Sequence, residues 1–131
     1  MTTELTLLAW SVVIGVVQLM LASLAIRRQN GLQWAVSARD GESRPPQGVA
    51  GRLQRAEDNL METWPFFAAL VLIAHVAGLH TGTILLGCQL YVAARVVYLP
   101  LYALGVPVLR SLVWMVSFIG LLMVLYGVLS Y

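Results

Sequence analysis

Four apolar runs divide the chain, and each is long enough to cross a bilayer as a helix. At 1.5 Å rise per residue, about 30 Å of hydrocarbon takes about 20 mostly apolar residues. The pattern predicts spans at about 5–27, 52–79, 82–104 and 106–130. The second begins with a polar lead-in, so its continuous apolar stretch is only 60–79. A long connection, about 28–51, separates the first two spans and holds "RDGESRPPQG", whose Gly, Pro and Ser favour irregular backbone. The other two links are tight turns, and Pro107 suits the first turn of the fourth helix, where a missing N–H costs nothing. Pro65 and Pro100 fall inside the second and third spans and are expected to kink them. The predicted fold class is an all-α integral membrane protein: a four-helix transmembrane bundle, up-down-up-down, in a single domain over 1–131.

Composition agrees with that pattern and excludes several functions. The 131 residues are 60% hydrophobic and 11% charged, with a mean hydropathy of +0.82, far too apolar for a dispersed soluble globule. The first run lacks a basic leader and is longer than a secretory core, so a retained span is expected. All eight basic residues are arginine; the formal charge of +2 and their scatter among apolar runs exclude a nucleic-acid surface. A single cysteine, Cys88, allows neither an intrachain disulfide nor a Cys-based metal cluster, and a buried, inert thiol is its simpler reading. His75 and His80 lack spaced partners for zinc, so no metal is expected.

Arginine placement sets an orientation. Arg27, Arg28, Arg39, Arg44, Arg52 and Arg55 flank or fill the first connection and Arg110 lies beside the third, while the second connection and both termini have none. Cytoplasmic loops accumulate such residues, so the first and third connections are expected in the cytoplasm and both termini on the opposite side. Trp10, Trp34, Trp64 and Trp114 suit interfacial anchoring, although ordinary packing is the simpler reading of each.

Two polar stripes carry the candidate chemistry. At 100° per residue, Arg55, Asp58, Asn59, Glu62 and Phe66 share one face of the second span while Glu57 points away. Glu57 and Asp58 also lie near the helix start, where carboxylates favour the dipole. Glu62 is ten residues past Arg52, roughly 15 Å along the axis, where an unpaired carboxylate is costly and therefore a functional candidate. On the third span Cys88, Tyr91, Arg95, Tyr98 and Tyr102 form a second stripe, with Arg95 at the depth of Glu62. A buried Glu62–Arg95 ion pair is expected from this. Arg110 and Ser111, in the first turn of the fourth span, would attract an anion entering from the cytoplasm.

These residues resemble the MAPEG family, the membrane-associated proteins in eicosanoid and glutathione metabolism, and its microsomal glutathione transferase-like members. The family's Arg-Ala-x-x-Asn-x-x-Glu followed by x-x-Pro-x-Phe is similar to Arg55, Ala56, Asn59, Glu62, Pro65 and Phe67. The Arg-x-x-Tyr-x-x-x-Tyr of leukotriene synthases is similar to Arg95, Tyr98 and Tyr102. The resemblance covers essentially the whole chain. It implies a homotrimer with glutathione, as co-substrate, at each interface between protomers. Arg55, Asn59, Glu62, Tyr98 and Tyr102 would bind the tripeptide, joined by Arg27 or Arg28 from the first span, and Arg110 would stabilise the thiolate. The chain departs from the family in its acidic Glu57 and Asp58, which would repel the carboxylates of glutathione or select another ligand. Ser111 resembles a serine of the prostaglandin E synthases, but Trp114 replaces their nearby tyrosine, so prostaglandin synthesis is not implied.

The implied function is a membrane-embedded glutathione-dependent transferase or peroxidase acting on a lipophilic electrophile or hydroperoxide that arrives through the lipid bilayer. The alternative is a non-catalytic MAPEG member that binds lipid or assists a partner, marked by an absent thiolate-activating arginine; Arg110 argues against it. A small multidrug exporter would carry its key carboxylate in the first span, and 5–26 contains no ionisable side chain.

Overall fold

The computed structural model describes residues 1–40 and 45–131, and all regular structure among them is helical. Five helices follow in order: α1 (Thr3–Asn30), α2 (Leu32–Val36), α3 (Gly48–Val76), α4 (Gly82–Ala103) and α5 (Pro107–Leu129). The long helices α1, α3, α4 and α5 correspond to the four apolar runs, and each is long and apolar enough to cross a membrane. The chain is an integral, multi-pass membrane protein. A helix is the natural solution there, because it satisfies every backbone N–H and C=O without water.

Local chemistry sets the helix ends. Thr2 caps α1 by accepting from the Leu5 N–H at 3.2 Å, Glu4 lies in the first turn and Arg27 and Arg28 in the last, each complementing the helix dipole. Thr81 caps α4 through the Ile84 N–H at 3.3 Å. Between α4 and α5 the turn is only three residues; Gly105, at φ 74°, reverses the chain so that the Val106 N–H reaches the Leu101 carbonyl at 3.0 Å. Pro107 opens α5 as expected. Pro65 and Pro100 sit inside α3 and α4, which continue through them. The first connection carries α2, after which its described residues 37–40 and 45–47 form no regular structure, and Gln29 ties it back to α1. Gln29 donates to the Pro45 carbonyl at 2.9 Å and accepts from the Gln47 N–H at 2.8 Å. Arg44 lies outside the described residues.

The interior has an apolar half and a polar half. In the first, Phe67 stacks on Tyr91 with centroids 4.1 Å apart, among Val71, Ile84, Cys88, Leu121 and Val124. In the second, Ala56, Tyr98 and Tyr102 pack with Val113 and Trp114. The outward faces of α1 and α5 stay apolar and exposed, as expected of surfaces that meet lipid rather than water.

The tightest contact joins α4 and α5. Ser117, Gly120, Leu121, Val124 and Gly127 form a mostly small stripe on α5. A Cβ on Gly120 would stand 2.6 Å from the Gly87 carbonyl oxygen, and one on Gly87 would stand 2.7 Å from that of Gly120. Close approach of small residues is how membrane helices gain packing energy without a hydrophobic drive. Gly120→Val is therefore expected to destabilise by about 3 kcal/mol through overpacking, read as a lower thermal midpoint in detergent. Ile119→Val, one position away on the exposed face, serves as control and should leave the midpoint unchanged.

Candidate functional site

The first turns of α3, the last turns of α4 and the first turns of α5 meet at one end of the bundle and enclose a cavity of about 460 Å³. From α3 come Arg55, Asp58, Asn59 and Glu62, at the spacing that puts them on one helix face. From α4 come Tyr98 and Tyr102, and from α5 Arg110, Ser111 and Trp114. Glu57 faces elsewhere, into an apolar groove of about 210 Å³ between α1 and α3. Of Glu57 and Asp58, only Asp58 meets the cavity.

Tyr102 organises the arginines. Arg55 Nε donates to the Tyr102 hydroxyl at 3.2 Å, and the Arg110 guanidinium lies over the Tyr102 ring, 4.7 Å from its centroid. Such a cation–π contact fixes a guanidinium while leaving its N–H groups free. Tyr98 braces Tyr102 edge to face at 5.5 Å. Gly51 makes room for Arg55, since a Cβ there would sit 3.1 Å from Arg55 Nη1 and 2.8 Å from the Pro46 carbonyl oxygen.

Arg95 lies deeper, only 1% exposed, and the expected Glu62–Arg95 ion pair is not formed. Among the described residues the one carboxylate within ion-pair distance of a basic side chain is that of Glu4, 3.8 Å from His80 Nδ1. Arg95 instead donates from Nη1 to Asn59 Oδ1 at 2.8 Å and from Nη2 to Thr63 Oγ1 at 3.1 Å. The Tyr91 and Tyr98 rings flank it at 5.7 and 5.0 Å. The reason is angular. Asn59 and Thr63 are about 40° apart on α3 and face α4, whereas Glu62 is rotated about 60° from Asn59, toward the open cavity. Matching depth does not supply matching direction. Because Asn59 Oδ1 is engaged by Arg95, its amide N–H groups remain for the cavity.

Arg27 and Arg28 are not brought to this site within the chain; with Leu24 and Gly31 they line a separate depression of about 400 Å³ at the end of α1. Two contributors were missed in the sequence. Thr63 both accepts from Arg95 and exchanges a hydrogen bond with the Tyr91 hydroxyl at 2.9 Å, and its spacing of four from Asn59 was the available signal. Trp114, four residues after Arg110, forms a wall of the cavity and stacks on Phe118 at 5.2 Å. Trp64, away from the cavity, donates to Ser11 Oγ at 2.8 Å and ties α3 to α1. Among the described residues no group of three His, Cys, Asp or Glu is set to hold a metal ion.

The MAPEG family model matches residues 7–130. The chain belongs to the MAPEG family. No curated protein matches it. MAPEG membership associates the chain with membrane-bound glutathione and eicosanoid metabolism. It also agrees with the four membrane-crossing helices.

Arg95 generates a stability prediction for this MAPEG bundle. Arg95→Leu removes two charge-assisted hydrogen bonds and leaves Asn59 and Thr63 without them, at an expected cost of about 3 kcal/mol. Thermal unfolding in detergent would measure it, and an unchanged midpoint would show that the buried guanidinium contributes nothing net.

Proposed function

We propose that this MAPEG protein is a membrane-embedded glutathione-dependent transferase or peroxidase. The observation that carries the reading is the charge layout of one cavity, in which Arg55 and Arg110 share the walls with Asp58 and Glu62. Glutathione presents two carboxylates, one ammonium and a thiol. Arg55 and the Asn59 amide suit a carboxylate, Asp58 and Glu62 suit the ammonium, and the Tyr98 and Tyr102 hydroxyls complete the polar lining. On this reading Asp58 selects for the amino-acid end of the ligand rather than repelling it.

Arg110 is assigned the catalytic role. Its guanidinium, held against Tyr102, would favour the thiolate over the thiol and so raise the fraction of the nucleophile. In conjugation the sulfur forms a bond to an electrophilic carbon and the leaving group departs with its electron pair. In peroxide reduction the thiolate attacks the outer peroxide oxygen, the O–O bond breaks and an alcohol is released. The sulfenic acid left on sulfur is then reduced by a second glutathione to the disulfide and water. Trp114 and the exposed apolar face of α5, with Leu112 and Met115, suit a lipophilic substrate arriving sideways from the bilayer.

The protein would assemble as a homotrimer with its first and third connections in the cytoplasm, where the cavity faces glutathione. Arg27 and Arg28 lie at the same end of the bundle as the cavity, so one of them would complete a neighbouring protomer's site.

Calorimetric titration of glutathione, paired with conjugation of chlorodinitrobenzene, tests the reading; neither heat nor product would leave the lipid-binding alternative. Arg110→Ala is expected to lower kcat about a hundredfold while Kd changes about threefold or less. Equal losses would reduce Arg110 to a binding residue. Asn59→Asp keeps an acceptor for Arg95 but replaces the N–H donors at the cavity. It is expected to weaken glutathione binding about tenfold or more with no fall in the thermal midpoint.

A further inference from the structure

A second cavity, of about 280 Å³, opens at the turn between α4 and α5 and shares Arg55, Tyr102 and Arg110 with the first. Its charge is different. Arg52 joins the other two arginines, and no carboxylate lies among the lining residues. Among the described residues none of the three has an ion-pair partner.

All three guanidinium groups are nevertheless held in place. Arg52 Nε donates to the Ala103 carbonyl at 2.9 Å, and its side chain lies across Gly105, where even a Cβ would come within 3.7 Å of Arg52 Cδ. Arg55 is fixed through its Nε on the Tyr102 hydroxyl, and Arg110 through the face of the Tyr102 ring. Anchoring Arg52 and Arg55 by Nε leaves their terminal N–H forks free, the geometry that grips an oxyanion with two bonds at once. Three like charges around one small space repel unless an anion enters, and the positive end of α5 adds to the same field.

We propose that this cavity is a phosphate-binding site, distinct from the glutathione-type cavity beside it, that takes the oxyanion of a phospholipid headgroup or of soluble phosphate. Its place at the end of three membrane-crossing helices puts it at the level of the headgroups, where clustered arginines recognise anionic lipids. Arg55, Tyr102 and Arg110 line both cavities, so the charged residue that tells this site from the first is Arg52.

Native mass spectrometry of the full chain in neutral detergent provides the test, with three probes in separate arms: short-chain phosphatidic acid, short-chain phosphatidylcholine and inorganic phosphate. The expected result is retention of phosphatidic acid at least tenfold over phosphatidylcholine. Arg52→Gln, which keeps a donor for the Ala103 carbonyl, should lose that preference, and Arg52→Lys should recover part of it. Arg52-dependent binding of inorganic phosphate alone also supports the site and assigns it a soluble ligand. No preference in either arm, or a preference that survives Arg52→Gln, overturns the proposal. Glutathione affinity is measured in parallel. If Arg52→Gln weakens glutathione binding as much as phosphate binding, the two cavities are one site and the proposal also fails. Absence of glutathione binding with phosphate binding intact would count only against the enzymatic reading.

Discussion

A guanidinium sealed between two helices is the constraint around which the polar half of this protein is arranged. Arg95 is charged, buried and without a carboxylate at hydrogen-bond distance, so its field is met by neutral groups: two side-chain oxygens on α3 and two tyrosine rings on α4. These contacts run without a break from the apolar core to the cavity. Phe67 stacks on Tyr91, Tyr91 shares a hydrogen bond with Thr63, Thr63 accepts from Arg95, and Arg95 holds the amide of Asn59. The orientation of a cavity residue is thus fixed by packing that begins well inside the bundle, as a preorganised site requires.

The third wall depends on a different interaction. α5 carries Arg110, Ser111 and Trp114, and its position relative to α4 follows from the backbone contact at Gly87 and Gly120. Small residues allow the two helices to approach until main-chain atoms touch, so a side chain added there moves the whole of α5. Arg110 lies ten residues, or roughly 15 Å, from Gly120 along the same rigid helix. A small displacement at the crossing would be carried to the arginine over the Tyr102 ring.

Much of this was legible in the sequence, for identifiable reasons. Hydropathy over windows of about 20 residues located the long helices, because the bilayer imposes their length. Helical periodicity grouped Arg55, Asp58, Asn59 and Glu62 and turned Glu57 away, because spacing on a single helix is fixed by its own geometry. What failed involved relations between helices. Depth along the axis suggested that Glu62 faces Arg95, but the rotation of α3 presents Asn59 and Thr63 instead. The glycine stripe of α5 escaped notice because hydropathy weighs apolar character and ignores the room that a missing side chain creates.

The charge before an apolar run also has a physical explanation. On the proposed function, the tripeptide thiol is soluble in water and its reaction partner in lipid, so a site that serves both must lie where helices leave the hydrocarbon. α3 meets that need by extending beyond its apolar stretch: Arg55, Asp58, Asn59 and Glu62 supply a polar wall, and an apolar run continues the helix to Val76. α4 cannot extend in the same way, because the tight turn at Gly105 follows it directly. It contributes tyrosines, whose rings pack against apolar neighbours while their hydroxyls bind polar ones. Tyr102 uses both properties, placing its hydroxyl on Arg55 and its ring beneath Arg110. A phenylalanine would keep the ring contact and lose the hydroxyl that fixes Arg55. A serine would lose the surface on which Arg110 rests. Only an aromatic hydroxyl at this position holds both arginines, and through them both cavities, at the edge of the membrane.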